Sequence, residues 1–120
     1  MVGMMSVGKA AFDIYDDISN AIKSGNSNAI ANYFSSTVDL TILSVEDVYS
    51  KAQAEIILKD FFSKNTPKSF SILHKGTSKE GAMYGIGSLI TEQGKSYRCY
   101  FYLKQNDRKF FIQELRFEKE

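Results

Sequence analysis

Two alternating aromatic segments in the last third of the chain constrain its fold most. They cover Ser96–Lys104 and Phe110–Glu118, and the polar residues Gln105–Lys109 separate them. Because successive side chains of a strand point to opposite faces, period-two alternation on both sides of a polar turn is typical of a β-hairpin. The sequence therefore predicts a sheet at this end of the chain, and the earlier segments must cover one of its faces.

The length of the hairpin loop decides which residues share a face, because a slip of one residue exchanges the two faces of a strand. An odd loop over Asn106–Arg108 keeps Glu114 and Arg116 away from the core aromatics. An even loop would bury both charges among them, at a cost of several kcal/mol if they are unpaired. We therefore predict the odd loop. The helix-facing side then carries Tyr97, Cys99, Phe101, Leu103, Phe111, Gln113, Leu115 and Phe117, and the outer side carries Arg98, Tyr100, Tyr102, Lys104, Phe110, Ile112, Glu114 and Arg116.

Helical patterns occupy most of the first half of the chain. Apolar spacing predicts a first helix over Ala10–Ser24, and Ser27 is the predicted N-cap of a short second helix that ends near Phe34. Ser50 and Gln53 form a capping-box pattern ahead of a third helix that extends to about Lys64. Further strands are predicted over Thr37–Leu43, Val48–Tyr49, Ser69–Ser78 and Ala82–Thr91, with a turn at Glu80-Gly81 between the last two.

Helices early and strands late define an α+β fold, with three N-terminal helices on a curved, mainly antiparallel sheet. At 120 residues the chain has room for one domain, which we place over residues 11–120. Residues 1–10 are apolar and end in the small-x-small pattern Gly8-Lys9-Ala10. We interpret them as the remnant of an export signal, the alternative being a disordered tail, and therefore expect a periplasmic or secreted protein.

Composition excludes several classes of function. The net charge is only +1 and no basic cluster is present, which argues against nucleic-acid binding. No apolar run approaches the roughly 18 residues that a membrane span needs. The single cysteine, Cys99, cannot form an intrachain disulfide and is expected to be a buried thiol. No residue spacing indicates a metal site, a cofactor or a catalytic constellation.

The order of elements, with the segments Ala21–Ile42 and Phe111–Glu118, resembles the nuclear transport factor 2-like superfamily, also called cystatin-like cones. More narrowly, the chain resembles small, uncharacterised, exported domains of the kind found in Bacteroidetes. The resemblance implies a cone with a pocket between the helices and the concave sheet, and many members dimerise through the outer face of the sheet. Some members are enzymes, such as ketosteroid isomerase and scytalone dehydratase, and many others only bind ligands or partners.

The sequence offers candidates for such a pocket. His74 shares a strand face with Phe70 and Ile72, and a two-residue turn at Glu80-Gly81 would place it opposite Gly87. Gly85 and Gly87, on the same inward face, would leave space beside this histidine, although glycine in a strand more often marks a bend. Gln113 would place an amide on an otherwise apolar face, and this amide must find a partner in the backbone, water or a ligand. The candidate pocket residues are His74, Tyr33, Tyr97, Gln113, Gly85 and Gly87.

On the predicted outer face, an aromatic patch has a charged rim, as protein interfaces often do. The candidate interface residues are Arg98, Tyr100, Tyr102, Phe110, Ile112 and Glu114. We therefore expect a non-catalytic binding module, homodimeric through this face, with a small apolar ligand as a further candidate partner. The alternative is an isomerase, dehydratase or cyclase with His74 as general base and Tyr33 or Tyr97 as hydrogen-bond donor.

Overall fold

A computed structural model describes residues 14–78 and 80–120. The predicted boundary between residues 1–10 and the domain lies outside the described residues. The first helix, α1, covers residues 14–24 in the described part of the chain. It is followed by α2 (Ser27–Ala31), β1 (Phe34–Ile42), β2 (Val45–Ser50), α3 (Lys51–Lys64), β3 (Pro67–Thr77), β4 (Met83–Thr91), β5 (Ser96–Asn106) and β6 (Lys109–Lys119).

The six strands form one sheet in the order β2-β1-β6-β5-β4-β3. Every neighbouring pair is antiparallel except β1 and β6, which are parallel. The helices cover one face of this mainly antiparallel sheet, so the predicted α+β architecture is confirmed. No helix in the described ranges is long and apolar enough to cross a membrane.

The core lies between the helices and the inner face of the sheet. Phe101, Leu115 and Phe117 on β5 and β6 are fully buried. Phe117 packs against two rings of α3, with centroids 5.0 Å from Phe61 and 5.8 Å from Phe62. Burial of large aromatic side chains is the main stabilising term in such a core.

The start of α3 is as predicted. Ser50 Oγ accepts a hydrogen bond from the backbone N–H of Gln53, and Gln53 Oε1 accepts one from the backbone N–H of Ser50. The start of α2 differs, because the N-cap is Asn26, whose side chain accepts a hydrogen bond from the Ala29 amide, while Ser27 is the first helical residue. α2 is also shorter than predicted, and Phe34 is already the first residue of β1.

The β5–β6 hairpin does not have the predicted odd loop. Asn106 pairs with Lys109 across a two-residue turn in which Asp107 and Arg108 both have positive φ, the geometry of a type I′ turn. The register then shifts by one at Gln113, since Tyr102 pairs with Glu114 and Leu103 with Ile112. This β-bulge keeps Glu114 and Arg116 on the outer face. The two charges thus stay out of the core, as we predicted, but because of the bulge and not because of an odd loop.

Candidate functional site

The two glycines predicted to open a pocket instead make room for aromatic rings. A Cβ added to Gly85 would clash with Cζ at the tip of the Phe101 ring. The same ring lies 6.0 Å, centroid to centroid, from the ring of Tyr15 on α1. A Cβ at Gly87 would lie 2.6 Å from Phe70 Cζ and 2.7 Å from the Ser71 carbonyl oxygen. The volume that these residues leave unfilled is therefore occupied by the protein's own core.

Tyr97 is on the inner face as predicted, but it is packed rather than open to a ligand. It is 4% exposed, and its ring meets Phe61 edge to face at 5.5 Å. Its hydroxyl donates to Asn65 Oδ1 at 2.9 Å, and Asn65 Nδ2 donates to the Phe61 carbonyl. Tyr97 thus fastens the C-terminal end of α3 to the sheet.

His74 lies on the outer face, which corrects its predicted position. A register shift between Ile72 and His74 makes Leu73 the extra residue of β3. Ile72 consequently pairs with Gly87, and His74 pairs with Ile86 and is exposed. The sequence prediction assumed an unbroken strand, and one inserted residue reverses the direction of every side chain beyond it.

Gln113 is also displaced from the predicted pocket. It is the extra residue of the β6 bulge, its side chain is exposed, and Nε2 donates to Ser35 Oγ at 2.9 Å. The partner that an amide requires is thus a hydroxyl on the neighbouring strand β1.

Two of the predicted pocket residues, Tyr33 and Gln113, line clefts in the described part of the chain, and they line different ones. The cleft at Gln113 has a volume of about 500 Å³. The cleft at Tyr33 has a volume of about 330 Å³ and lies between α1, the α2–β1 junction and the hairpin turn, next to Asp17, Arg108 and Phe110. Partial burial raises the pKa of the Tyr33 hydroxyl, and the adjacent carboxylate of Asp17 raises it further. The cleft is open to solvent and separate from the filled inner face, so the predicted pocket residues are not brought together.

The outer face of the sheet shows the more continuous arrangement, because the strand registers align its residues into two cross-strand rows. Tyrosines 84, 100 and 102 and Ile86 form a partly buried centre. On β6 and β1 both rows continue with polar or charged residues, and on β2 they end in Val48 and Glu46. One row is Val48, Asp39, Glu114, Tyr102, Tyr84 and Gly76, and the other is Glu46, Thr41, Arg116, Tyr100, Ile86 and His74.

Four of the six predicted interface residues lie on this outer face, namely Arg98, Tyr100, Tyr102 and Glu114. Ile112 and Phe110 do not. Ile112 is fully buried opposite Leu103, and Phe110 packs against the core. The physical reason is the bulge at Gln113, which reverses the faces of β6 between the bulge and the turn.

The centre of the outer face is held in place by Arg116. Its guanidinium contacts Glu114 Oε2 through Nε at 2.7 Å and Nη2 at 2.6 Å, and lies 5.7 Å from the centroid of the Tyr100 ring. The hydrogen bond to Glu114 raises the pKa of Arg116. This side chain is therefore ordered between an acid and an aromatic ring, which lowers the entropy cost of contact with a partner.

Sequence reasoning missed a cluster of three carboxylates at the β2 end of this face. Asp39, Glu46 and Glu114 each offer an oxygen within 4.8 Å of the others. Asp39 lies between the buried residues Val38 and Leu40 of β1, so alternation along the strand places it on the outer face. The cluster itself could not be found this way, because it depends on the parallel pairing of β1 with β6, and these two strands are far apart in the sequence.

Cys99 is fully buried, as predicted, and burial raises the pKa of its thiol. A protonated thiol without access to solvent is a poor nucleophile, so Cys99 acts as a small apolar core residue.

Helices on one face of a six-stranded, mainly antiparallel sheet, in this order of elements, define a nuclear transport factor 2-like fold. A nuclear transport factor 2-like protein of unknown function from Shewanella baltica has the same fold, with a TM-score of 0.72 at 12% identity over 97% of this chain and 95% of the other. Within this class the chain belongs to the DUF4783 family, a domain of unknown function, which matches residues 15–118.

Solved structures of the family are similar over most of their length. A DUF4783 protein from Bacteroides ovatus is 27% identical, with a TM-score of 0.81 over 87% of this chain and 93% of the other. One from Bacteroides uniformis is 28% identical, with a TM-score of 0.81 over 88% and 95%. A comparison with curated proteins gives no match. The family assignment thus agrees with the predicted resemblance to small Bacteroidetes domains and adds no activity.

Proposed function

We propose that this chain is a non-catalytic binding module that associates with a second copy of itself through the outer face of the sheet. One observation carries the proposal: the inner face is filled by Phe70, Phe101 and Phe117, whereas the outer face presents a row of tyrosines with a charged rim. A tyrosine-rich centre with charges at its edge is the usual composition of a protein interface.

Charge complementarity favours a second copy as the occupant. On the outer face, β5 carries Arg98 and Lys104 at opposite ends of its tyrosines. β6 beside it carries Glu114 and Glu118 on either side of Arg116, which pairs with Glu114 within the chain. A twofold axis parallel to the strands and between β5 and β6 would bring β5 of one copy opposite β6 of the other. The same basic and acidic side chains would then pair twice, as a symmetric interface requires.

The test is Tyr102→Asp, analysed by light scattering coupled to size exclusion at micromolar concentration. We expect a dimeric wild type and a folded, monomeric Tyr102→Asp, because two copies of the new carboxylate would meet near the axis. The matched control is Ile56→Asp, which also places a charge at an exposed apolar position. Ile56 is 68% exposed on α3, away from the outer face of the sheet, so this variant should remain dimeric.

Two results would contradict the proposal. A monomeric wild type would exclude self-association through any face at this concentration. A dimeric Tyr102→Asp, or dissociation in Ile56→Asp, would place the interface elsewhere.

The isomerase-type alternative has lost its main support. It needed His74 as a base inside the cone, and His74 lies on the outer face. A small apolar ligand is likewise weakly supported, because Phe101 and Phe70 occupy the space beside Gly85 and Gly87.

We also propose that the domain acts outside the cytoplasm, and the signal-like pattern of residues 1–10 supports this. Intact-mass measurement of the protein from the cell envelope of its native host should give a mature N-terminus near Ala11. Protein that is absent from the cell envelope, or that keeps residues 1–10 there, would refute the export proposal without affecting the dimer proposal.

A further inference from the structure

Three carboxylates from three different strands meet at the β2 end of the outer face. Asp39 on β1 is directly opposite Glu114 on β6, and Glu46 comes from the edge strand β2. One oxygen from each lies within 4.8 Å of the other two. Like charges at this separation repel unless a positive charge or a proton lies between them.

Arg116 neutralises only part of this charge. Both of its close contacts are with Glu114 Oε2. Asp39 Oδ1 is shielded from solvent and has no hydrogen-bond donor among the described residues. An ionised carboxylate oxygen in such a position is costly without a partner. Two ionised carboxylates cannot donate to each other, so Asp39 and Glu46 need either a cation between them or a proton on Glu46. The hydrogen bond with Asp39 raises the pKa of the Glu46 carboxyl, which shows how closely the two groups interact.

Thr41 provides a second, independent observation. It is on the same face of β1 as Asp39 and directly opposite Glu46, and it is only 7% exposed. Its Oγ1 is shielded from solvent and has no hydrogen-bond partner in the described part of the chain. Buried hydroxyls nearly always make a hydrogen bond or coordinate an ion, so this oxygen is available to a ligand beside the carboxylates.

We propose that Asp39, Glu46, Glu114 and the Thr41 hydroxyl bind a hard divalent cation, with Ca²⁺ as the best match. All four groups offer oxygen and none offers nitrogen or sulfur, which disfavours Zn²⁺. Ca²⁺ accepts a variable number of oxygen ligands and flexible geometry, whereas Mg²⁺ requires a near-ideal octahedron. The site is built within one chain, so the inference does not depend on self-association.

The experiment measures thermal unfolding and calorimetric binding of the full chain with CaCl₂, and compares MgCl₂ and NaCl at matched ionic strength. We expect a saturable rise in Tm with Ca²⁺ and a Kd of about 10⁻⁴–10⁻³ M, the weak end of the range of protein calcium sites. Glu46→Gln, at an exposed position, should weaken binding about tenfold or more without unfolding the chain. Thr41→Val tests the buried hydroxyl and should also weaken it.

The matched control is Asp60→Asn, which removes an exposed carboxylate on α3 that pairs with Lys64. It should leave the Ca²⁺-dependent rise in Tm unchanged. The proposal is overturned if Ca²⁺ gives no saturable rise up to about ten times the upper end of that Kd range, or if NaCl reproduces the effect by screening. It is equally overturned if Glu46→Gln and wild type respond alike.

Discussion

The lack of a side chain at Gly85 lets the Phe101 ring lie against the backbone of β4. Phe101 is fully buried, and its ring lies 6.0 Å, centroid to centroid, from that of Tyr15 on α1. A methyl group added at position 85 would meet the tip of this buried ring and has no space unless the ring moves.

Gly85→Ala should consequently lower the free energy of unfolding by about 1–3 kcal/mol, the usual cost of overpacking a core. The measurement is urea denaturation with the midpoint and slope fitted separately. Ser88→Ala is the control on the same strand. Ser88 lies on the outer face, where its hydroxyl donates to Glu120 Oε1 in an exposed position, so its loss should cost no more than about 0.5 kcal/mol. A neutral Gly85→Ala would mean that space exists beside β4 and would revive the inner pocket.

At the scale of elements, the β5–β6 hairpin combines a tight turn with a compensating bulge. Asp107 and Arg108 adopt φ values of 55° and 69°, in the left-handed region where a side chain is unfavourable. The sequence at this turn thus carries conformational strain that the common Asn-Gly turn avoids.

Arg108→Gly should therefore stabilise the protein by about 0.5–1 kcal/mol, because the relief of strain exceeds the added entropy of the unfolded chain. The change can be read as a higher urea midpoint at constant slope. Lys109→Gly, one residue further in extended β6, should have the opposite sign and destabilise by a similar amount. If both glycine variants are destabilised, the turn does not carry the strain that its φ values indicate.

The same hairpin shows what the sequence could and could not predict about elements. The segments around residues 96–104 and 110–118 were correctly identified as strands, since their alternation follows directly from strand geometry. The bulges at Leu73 and Gln113 have no comparable signature, because an inserted residue looks like any other in a single sequence. These two residues account for the errors at His74, Ile112 and Phe110.

At the scale of the whole molecule, the architecture was predictable and the candidate site largely was not. Helix spacing, the Ser50–Gln53 capping box and the order of elements depend on local chemistry and identified the α+β fold. The filling of the inner face depends on which rings meet which glycines across strands, as at Gly87 and Phe70. The carboxylate cluster depends on the parallel pairing of β1 with β6. Parallel strands are not joined by a hairpin turn, so the sequence holds no local signal for this pairing.

The central place of β6 also determines when the sheet can be completed during synthesis. Ribosomes make the chain from its N-terminus, so β1–β2 and β3–β5 exist before β6, which belongs between them. Until residues 109–119 emerge, the facing edges of β1 and β5 carry unpaired backbone N–H and C=O groups. Such edges readily pair with strands of other chains. A nascent or truncated chain that stops before β6 therefore exposes two unpaired strand edges that can aggregate. A chaperone that shields these edges would act until the last strand is inserted.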